Sequence, residues 1–312
     1  MTLPLPEQLT PLIERIVPDG QVTSVTALSL GFTNRSWRVA VRTPDGITSD
    51  FVIKRYAVRE HLAEASADVV RRAALEHRLL DFVNGHGIPC PQVVLFDPNE
   101  PGLEAPILVT RIIPGTHILA HPPNPRWAAK ATTIAEALAS IHKLQLPSDL
   151  VAQLPDAMQI GTWFLEGNTI PDYMQAYPDG QRVWQTVQRY RPQVQATQRV
   201  LVHGDYWSGN MLWENGQLTG ILDWERAAFG DPGFDIAYCR LEMFIEAMDE
   251  AADLFLKTYE TLTGWSVVNL RFCELAIAAL PMLWRPSWLT QSPIQERYRR
   301  FVATAFNEIQ QA

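Results

Sequence analysis

Asp205, Asn210 and Asp223 fall five and then thirteen residues apart inside LVHGDYWSGNMLWENGQLTGILDWE, residues 201–225. Two short apolar runs, Met211 to Trp213 and Leu218 to Leu222, flank Glu214, Asn215 and Gly216, which carry the turn chemistry of a hairpin. A hairpin returns its second end to its first, so the spacing predicts an amide oxygen and a carboxylate side by side. Two hard oxygen ligands with open positions suit Mg²⁺, which keeps water and substrate phosphates in its shell. Asp205, one short loop away, could then accept a proton from a hydroxyl while the metal holds a phosphoryl group. HxDxxxxN followed by a hairpin and an aspartate is the arrangement of a phosphoryl-transfer catalytic loop.

Such a loop needs a phosphate-binding lobe before it: a lysine on the third strand, an acid on the next helix, and a turn between the first two strands. The patterns VTSVTALSL, SWRVAVRT and SDFVIKRY predict three antiparallel strands over residues 21–56, with a turn at Pro44, Asp45 and Gly46. Lys54 lies on the third. Residues 59–84 lack glycine and proline, and Leu62, Ala65, Val69, Ala73, Glu76 and Leu80 share one helical face. Glu76 is thus an acid among inward-facing positions. VVLFD and PILVTRIIPG read as two further strands closing a five-stranded sheet, and Pro114 and Gly115 mark a break between lobes.

Residues 1–113 are expected to form the N-terminal nucleotide-binding lobe and 114–312 the C-terminal lobe. Trp127, Ala131, Ile134, Leu138 and Ile141 predict a buried helix, with His142 at its end as a packing residue. Residues 145–195 read as helices joined by irregular loops. From residue 233 the chain reads as helical, interrupted near Gly264 and from Pro281 to Gln291. Strands early and helices late make the fold class α+β.

HGDYWSGN together with ILDWE and GDPGFDIA resembles the aminoglycoside phosphotransferase family, small-molecule kinases related to choline, fructosamine and macrolide kinases and to protein kinases. The resemblance runs from about residue 21 to at least 240. It implies a protein-kinase-like bilobal fold, ATP as phosphoryl donor with GTP left open, and Mg²⁺. By this resemblance Asp205 is the catalytic base or orienter of the acceptor hydroxyl, and Asn210 and Asp223 bind Mg²⁺. Lys54 grips the α and β phosphates while pairing with Glu76. The backbone around Gly31, Phe32, Thr33 and Asn34 lies over the triphosphate, Thr110, Arg111 and Ile112 form the hinge for adenine, and His203 and Asp235 support the catalytic loop. Gly204 stands where protein kinases carry an arginine, and about eleven residues separate Asp223 from Asp235, which leaves no room for a long activation loop.

Composition narrows the remaining classes. The 312 residues are 47% hydrophobic and 19% charged, the balance of a packed soluble protein. A net charge of −8 without a lysine and arginine cluster argues against nucleic acid. MTLPLPEQLTPLIERIVPDG does not read as a secretion signal, and the longest apolar run, LAIAALPMLW, is too short to span a bilayer, so a cytoplasmic protein is expected. Cys90, Cys239 and Cys273 show no metal-ligand spacing and read as buried apolar residues. Glu76 could instead pair with Arg72 at helical spacing. Glu242, Glu246, Asp249 and Asp253 share one helical face that reads as solvated. The acceptor expected is a hydroxylated small molecule, an antibiotic such as an aminoglycoside or macrolide, or an amino alcohol or sugar. A catalytically silent nucleotide-binding module and a protein kinase are the alternatives.

Overall fold

The computed structural model describes residues 4, 6–28, 34–58, 65–117, 129–290 and 293–309. They form two compact units, the first from Met1–Gly115 and Glu214–Glu225, the second from Thr116–Trp213 and Arg226–Ala312. The first unit thus joins an N-terminal segment to Glu214–Glu225.

In the first unit β1 (Gln21–Leu28), β2 (Arg35–Arg42), β3 (Thr48–Arg55), β4 (Val93–Glu100) and β5 (Ala105–Arg111) build an antiparallel sheet in the order β1-β2-β3-β5-β4. Alternation sorts its side chains. Trp37, Val39 and Val41 on β2 and Phe51 and Ile53 on β3 turn to one face, where Leu9, Leu12 and Ile13 of the helix Pro6–Glu14 pack on them. Sequence patterning missed this helix, since nine residues with Pro11 inside are too few to establish a 3.6-residue period. Val52, Lys54 and Tyr56 take the opposite parity and so face the other way.

The main helix of this unit spans Ser66–Gly85; residues 59–64 of the expected span, including Leu62, lie outside the described residues. Its buried positions, Val69, Ala73, Glu76, Leu79, Leu80 and Val83, repeat at helical spacing. β9 (Gln217–Ile221) also belongs to this unit, and the Ile221 amide donates to the Pro89 carbonyl at 2.7 Å. Asn215 and Gly216 both adopt left-handed φ, 49° and 84°, as a tight two-residue turn requires.

The second unit is mostly helical. β6 (Thr116–His117) pairs antiparallel with β8 (Met211–Glu214), and β7 (Val200–Val202) with β10 (Ala228–Gly230). The helix Ala131–His142 buries Ala131, Ile134, Leu138 and Ile141 of the stripe read from their spacing, and Trp127 lies outside the described residues. Gly233–Ile245 is buried on nearly every side, Asp249–Thr263 ends at Gly264 with φ of 74°, and Ile294–Ile309 follows the break after Trp284. All three cysteines are buried and free. Among the described residues, no helix is long and apolar enough to cross a membrane.

Candidate active site

In the first unit the chemistry gathers on Lys54. Its ammonium lies 3.0 Å from each Glu76 carboxylate oxygen, 3.2 Å from Asp223 Oδ1 and 3.2 Å from Glu225 Oε2. The Tyr56 hydroxyl donates to Glu76 Oε2 at 2.7 Å and thereby holds the carboxylate that holds the lysine. Parity explains the pairing: Tyr56, the first residue past β3, stands two residues from Lys54 and keeps its side. Arg72, the helical-spacing alternative for Glu76, instead donates to the Ala57 carbonyl at 2.8 Å and lies 3.5 Å from Glu225.

Burial and charge compete here. Burial pulls the Lys54 ammonium toward neutrality, but Glu225, Glu76 and Asp223 outweigh it and hold its pKa well above the ordinary lysine value. Burial raises Glu76, with Lys54 opposing and Glu225 and Asp223 reinforcing. Lys54 therefore stays charged, with Glu76, Asp223 and Glu225 around it and Arg72 as a second cation beside Glu225. Asp223 is the exposed member, with 42% of its side chain accessible against 5% for Glu76. Its φ of 63° is a left-handed conformation that aspartate tolerates better than most residues.

In the second unit the loop after β7 is organised by a helix. Asp235, in the first turn of Gly233–Ile245, accepts from the His203 amide at 2.7 Å and the Gly204 amide at 2.8 Å. The same carboxylate lies 3.1 Å from His142 Nε2, whose other nitrogen is 2.8 Å from the Tyr259 hydroxyl. Gly204 has φ of 79°, and a Cβ there would sit 2.3 Å from the Arg226 carbonyl oxygen. Only glycine suits that position. The Asp205 amide donates to His203 Nδ1 at 3.2 Å, and Asn210 Nδ2 donates to the Asp205 carbonyl at 2.8 Å and to its Oδ2 at 2.7 Å. Both hydrogen-bonding directions of the Asn210 NH₂ group are thus spent on Asp205, which leaves Asn210 Oδ1 as the amide's ligating atom.

The pattern of these residues matches an established description over residues 24–270, that of the phosphotransferase enzyme family. This chain belongs to that family. Mouse acyl-CoA dehydrogenase family member 10 is 26% identical over 199 residues, covering 58% of this chain and 17% of that protein. The 4-hydroxytryptamine kinase of Psilocybe cyanescens is 25% identical over 264 residues, covering 74% of this chain and 69% of that protein. The chain thus spans well under a fifth of the first relative. Among solved structures, apo macrolide 2'-phosphotransferase MphH from Brachybacterium faecium aligns with a TM-score of 0.62 at 19% identity, covering 96% of this chain and 98% of that one. At that identity the likeness establishes the α+β kinase-like fold.

Other positions singled out in this phosphotransferase family member fall differently. Gly31, Phe32 and Thr33 lie outside the described residues. Asn34 is buried, its amide donating to Glu225 and its oxygen accepting from the Ala57 amide at 3.1 Å. Thr110 is buried at the end of β5; the Arg111 amide donates to Gln92 and the Ile112 amide to Asp50, so these two N–H groups are occupied. The acidic face expected to be solvated divides. Asp253 is exposed, but Glu242 and Glu246 are buried, 5% and 3% accessible. An i, i+4 repeat looks the same on a solvated helix and on one enclosed by its neighbours. Burial, with Glu246 and Asp205 adding like charge and Arg285 opposing, raises Glu242 to about 8, and burial opposed by Arg297 raises Glu246 to about 7. Sequence reasoning passed over Glu225 and Tyr56, although each lies two residues from a singled-out position.

No cluster of three or more histidine, cysteine or acidic side chains suited to a metal occurs among the described residues. A cavity of about 620 Å³ in the second unit, bordered by Arg191 and Arg199, contains none of the residues singled out for chemistry.

Proposed function

We propose that this chain transfers the γ-phosphoryl group of ATP to a hydroxyl group of a small molecule, with Mg²⁺ as the accompanying ion. The observation that carries this reading is the Lys54 cluster: a buried lysine held by Glu76 from the main helix and facing the exposed carboxylate of Asp223. Lysine and helix acid in this pairing bind nucleotide phosphates in kinases.

In this reading Lys54 binds the α and β phosphates, kept charged and oriented by Glu76, whose own position Tyr56 secures. Asp223 and Asn210 are the proposed Mg²⁺ ligands, one through an accessible carboxylate and the other through the amide oxygen left over by its bonds to Asp205. Bound Mg²⁺ would neutralise charge developing on the phosphoryl oxygens. Asp205 takes the proton from the acceptor hydroxyl as its oxygen bonds to γ-phosphorus and the bond to the β-phosphate oxygen breaks. His203 and Asp235 hold the loop. With the Arg111 and Ile112 amides occupied, adenine recognition near Thr110–Ile112 falls to other groups of that segment.

The acceptor class proposed is an antibiotic such as an aminoglycoside or macrolide, or an amino alcohol or sugar. ATP consumption measured against a panel of these tests it directly. An acceptor-dependent, EDTA-sensitive rate is expected. Nucleotide binding with no turnover on any acceptor would replace this reading with a silent nucleotide-binding module, and phosphorylation of protein substrates alone would replace it with a protein kinase.

A further inference from the structure

Glu225 gathers three donors on one oxygen. Its Oε2 lies 3.2 Å from Lys54 Nζ and 3.5 Å from Arg72 Nη1, and it accepts from the side-chain amide of Asn34. The three come from three places in the first unit: Asn34 from the residue before β2, Lys54 from β3 and Arg72 from the main helix. The β2–β3 register pairs Ser36 with Lys54 and Arg35 with Arg55, so one step further Asn34 stands opposite Tyr56, and its amide oxygen accepts from the Ala57 amide at 3.1 Å. The Lys54 ammonium and the Arg72 guanidinium lie 5.2 and 5.4 Å from the centre of the Tyr56 ring. Two cations on one ring repel, and Glu225 is an anion within reach of both.

A carboxylate in this place could serve as a further metal ligand or as a fixture for the lysine. The surroundings of the ammonium favour the second. An ammonium has three N–H groups to give, and three carboxylates stand within 3.2 Å of this one. They differ in exposure: 5% of the Glu76 side chain and 13% of Glu225 are accessible, against 42% of Asp223. Asp223, the proposed Mg²⁺ ligand, is the one that a cation can draw away. Glu76 and Glu225 then hold the ammonium from the helix and from the Asp223 segment, and its third N–H is left for a phosphate oxygen. By holding Asn34, Glu225 also fixes the entry to β2, where the stretch expected over the triphosphate ends. Groups fixed before the ligand arrives lose less on binding it.

Taking Lys54 and Asp223 as the phosphate and Mg²⁺ binders of the proposed reaction, we infer that Glu225 is a positioning residue of the nucleotide site. Its carboxylate orients Lys54 together with Glu76 and, through Asn34, joins the entry to β2 to the segment that carries Asp223.

Exchanging the two ends of the Asn34–Glu225 hydrogen bond tests this. Wild type, Glu225→Gln, Asn34→Asp and the variant carrying both are compared for binding of the β,γ-imido analogue of ATP by calorimetry, for the Mg²⁺ concentration that half-saturates that binding, and for Tm. Glu225→Gln removes the charge beside Lys54 and Arg72, and Asn34→Asp sets a second carboxylate against Glu225. Each is expected to weaken analogue binding about tenfold, the order of one charge-assisted hydrogen bond, with the Mg²⁺ half-saturation close to that of wild type. Together they reverse donor and acceptor while keeping the charge, and most of the lost affinity is expected to return. Unchanged binding by Glu225→Gln would overturn the inference, and so would losses that multiply in the double variant, since a carboxylate acting apart from Asn34 gains nothing from the exchange. A raised Mg²⁺ half-saturation with unchanged affinity at saturating Mg²⁺ would also overturn it, by making Glu225 a metal ligand. Where Tm shows that Glu225→Gln does not fold, the double variant is compared with Asn34→Asp alone, and a double variant that binds no better counts against the inference. A wild type that binds no analogue would sink the nucleotide reading itself, a result distinct from a wild type that binds it and tolerates Glu225→Gln.

Discussion

At the scale of single residues, two carboxylates stand in different surroundings. The Asp205 carboxylate accepts from the Asn210 amide, and Asp223 is an accessible carboxylate on the edge of a charge cluster. Asp205→Asn is therefore expected to leave ATP affinity unchanged and to lower turnover by two or more orders of magnitude, roughly the worth of a positioned general base; equal turnover would remove Asp205 from the mechanism. Asp223→Ala is expected to abolish Mg²⁺-dependent nucleotide binding, read by calorimetry with and without EDTA. Glu76→Ala strands the Tyr56 hydroxyl and takes both short contacts from Lys54. It is expected to cost about 2 kcal/mol of stability, the order of a lost charge-assisted hydrogen bond, and to raise KM for ATP. Denaturant unfolding and steady-state kinetics read the two effects separately.

At the scale of elements, a strand, a helix and a glycine decide where these groups go. Alternation on β3 separates Phe51 and Ile53, which face the sheet core, from Lys54, whose parity turns it the other way. The Gly233–Ile245 helix uses its first turn to hold two loop amides, a charge-assisted arrangement stronger than neutral hydrogen bonds. Gly204 lets the loop pass beneath the Arg226 carbonyl with φ of 79°. Gly204→Ala must both strain the backbone, by about 1 kcal/mol, and displace that carbonyl. Activity is expected to fall far more than Tm, because the loop can shift while the surrounding helices stay packed. A Tm loss with full residual activity per folded molecule would contradict that account.

At the scale of the whole molecule, buried carboxylates tie stability to pH. Glu242 rises from an ordinary value of 4.5 to about 8 and Glu246 to about 7. Between the unfolded and folded values the native state keeps a proton that the unfolded chain has released, so each step upward in pH disfavours folding. Stability from these two groups is fully present below about pH 4.5 and is lost progressively as pH passes through about 7 and 8. Tm is expected to fall across that window in the wild type. Glu242→Gln, which keeps the shape and cannot ionise, is expected to flatten the fall. A variant whose Tm tracks the wild type from pH 5 to pH 9 would show that Glu242 does not ionise in that range.

The amino-acid sequence by itself determined the periodic elements and the ordered chemical set. Alternation revealed the five strands, the 3.6-residue repeat placed Glu76 inward, and the turn chemistry of Asn215 and Gly216 appears as left-handed backbone at both positions. These are local properties, encoded within a few residues of where they act. Tertiary structure alone decided the partnerships. Arg72 chose Glu225 over Glu76, Asn34 turned its amide to Glu225, the Arg111 and Ile112 amides went to Gln92 and Asp50, and Glu242 and Glu246 were enclosed rather than solvated. Each outcome depends on which groups distant in sequence arrive within about 3 Å, the reach of a hydrogen bond. A short helix bearing proline, Pro6–Glu14, was hidden for the same reason: it is stabilised by the sheet face it covers, not by a periodic signal of its own.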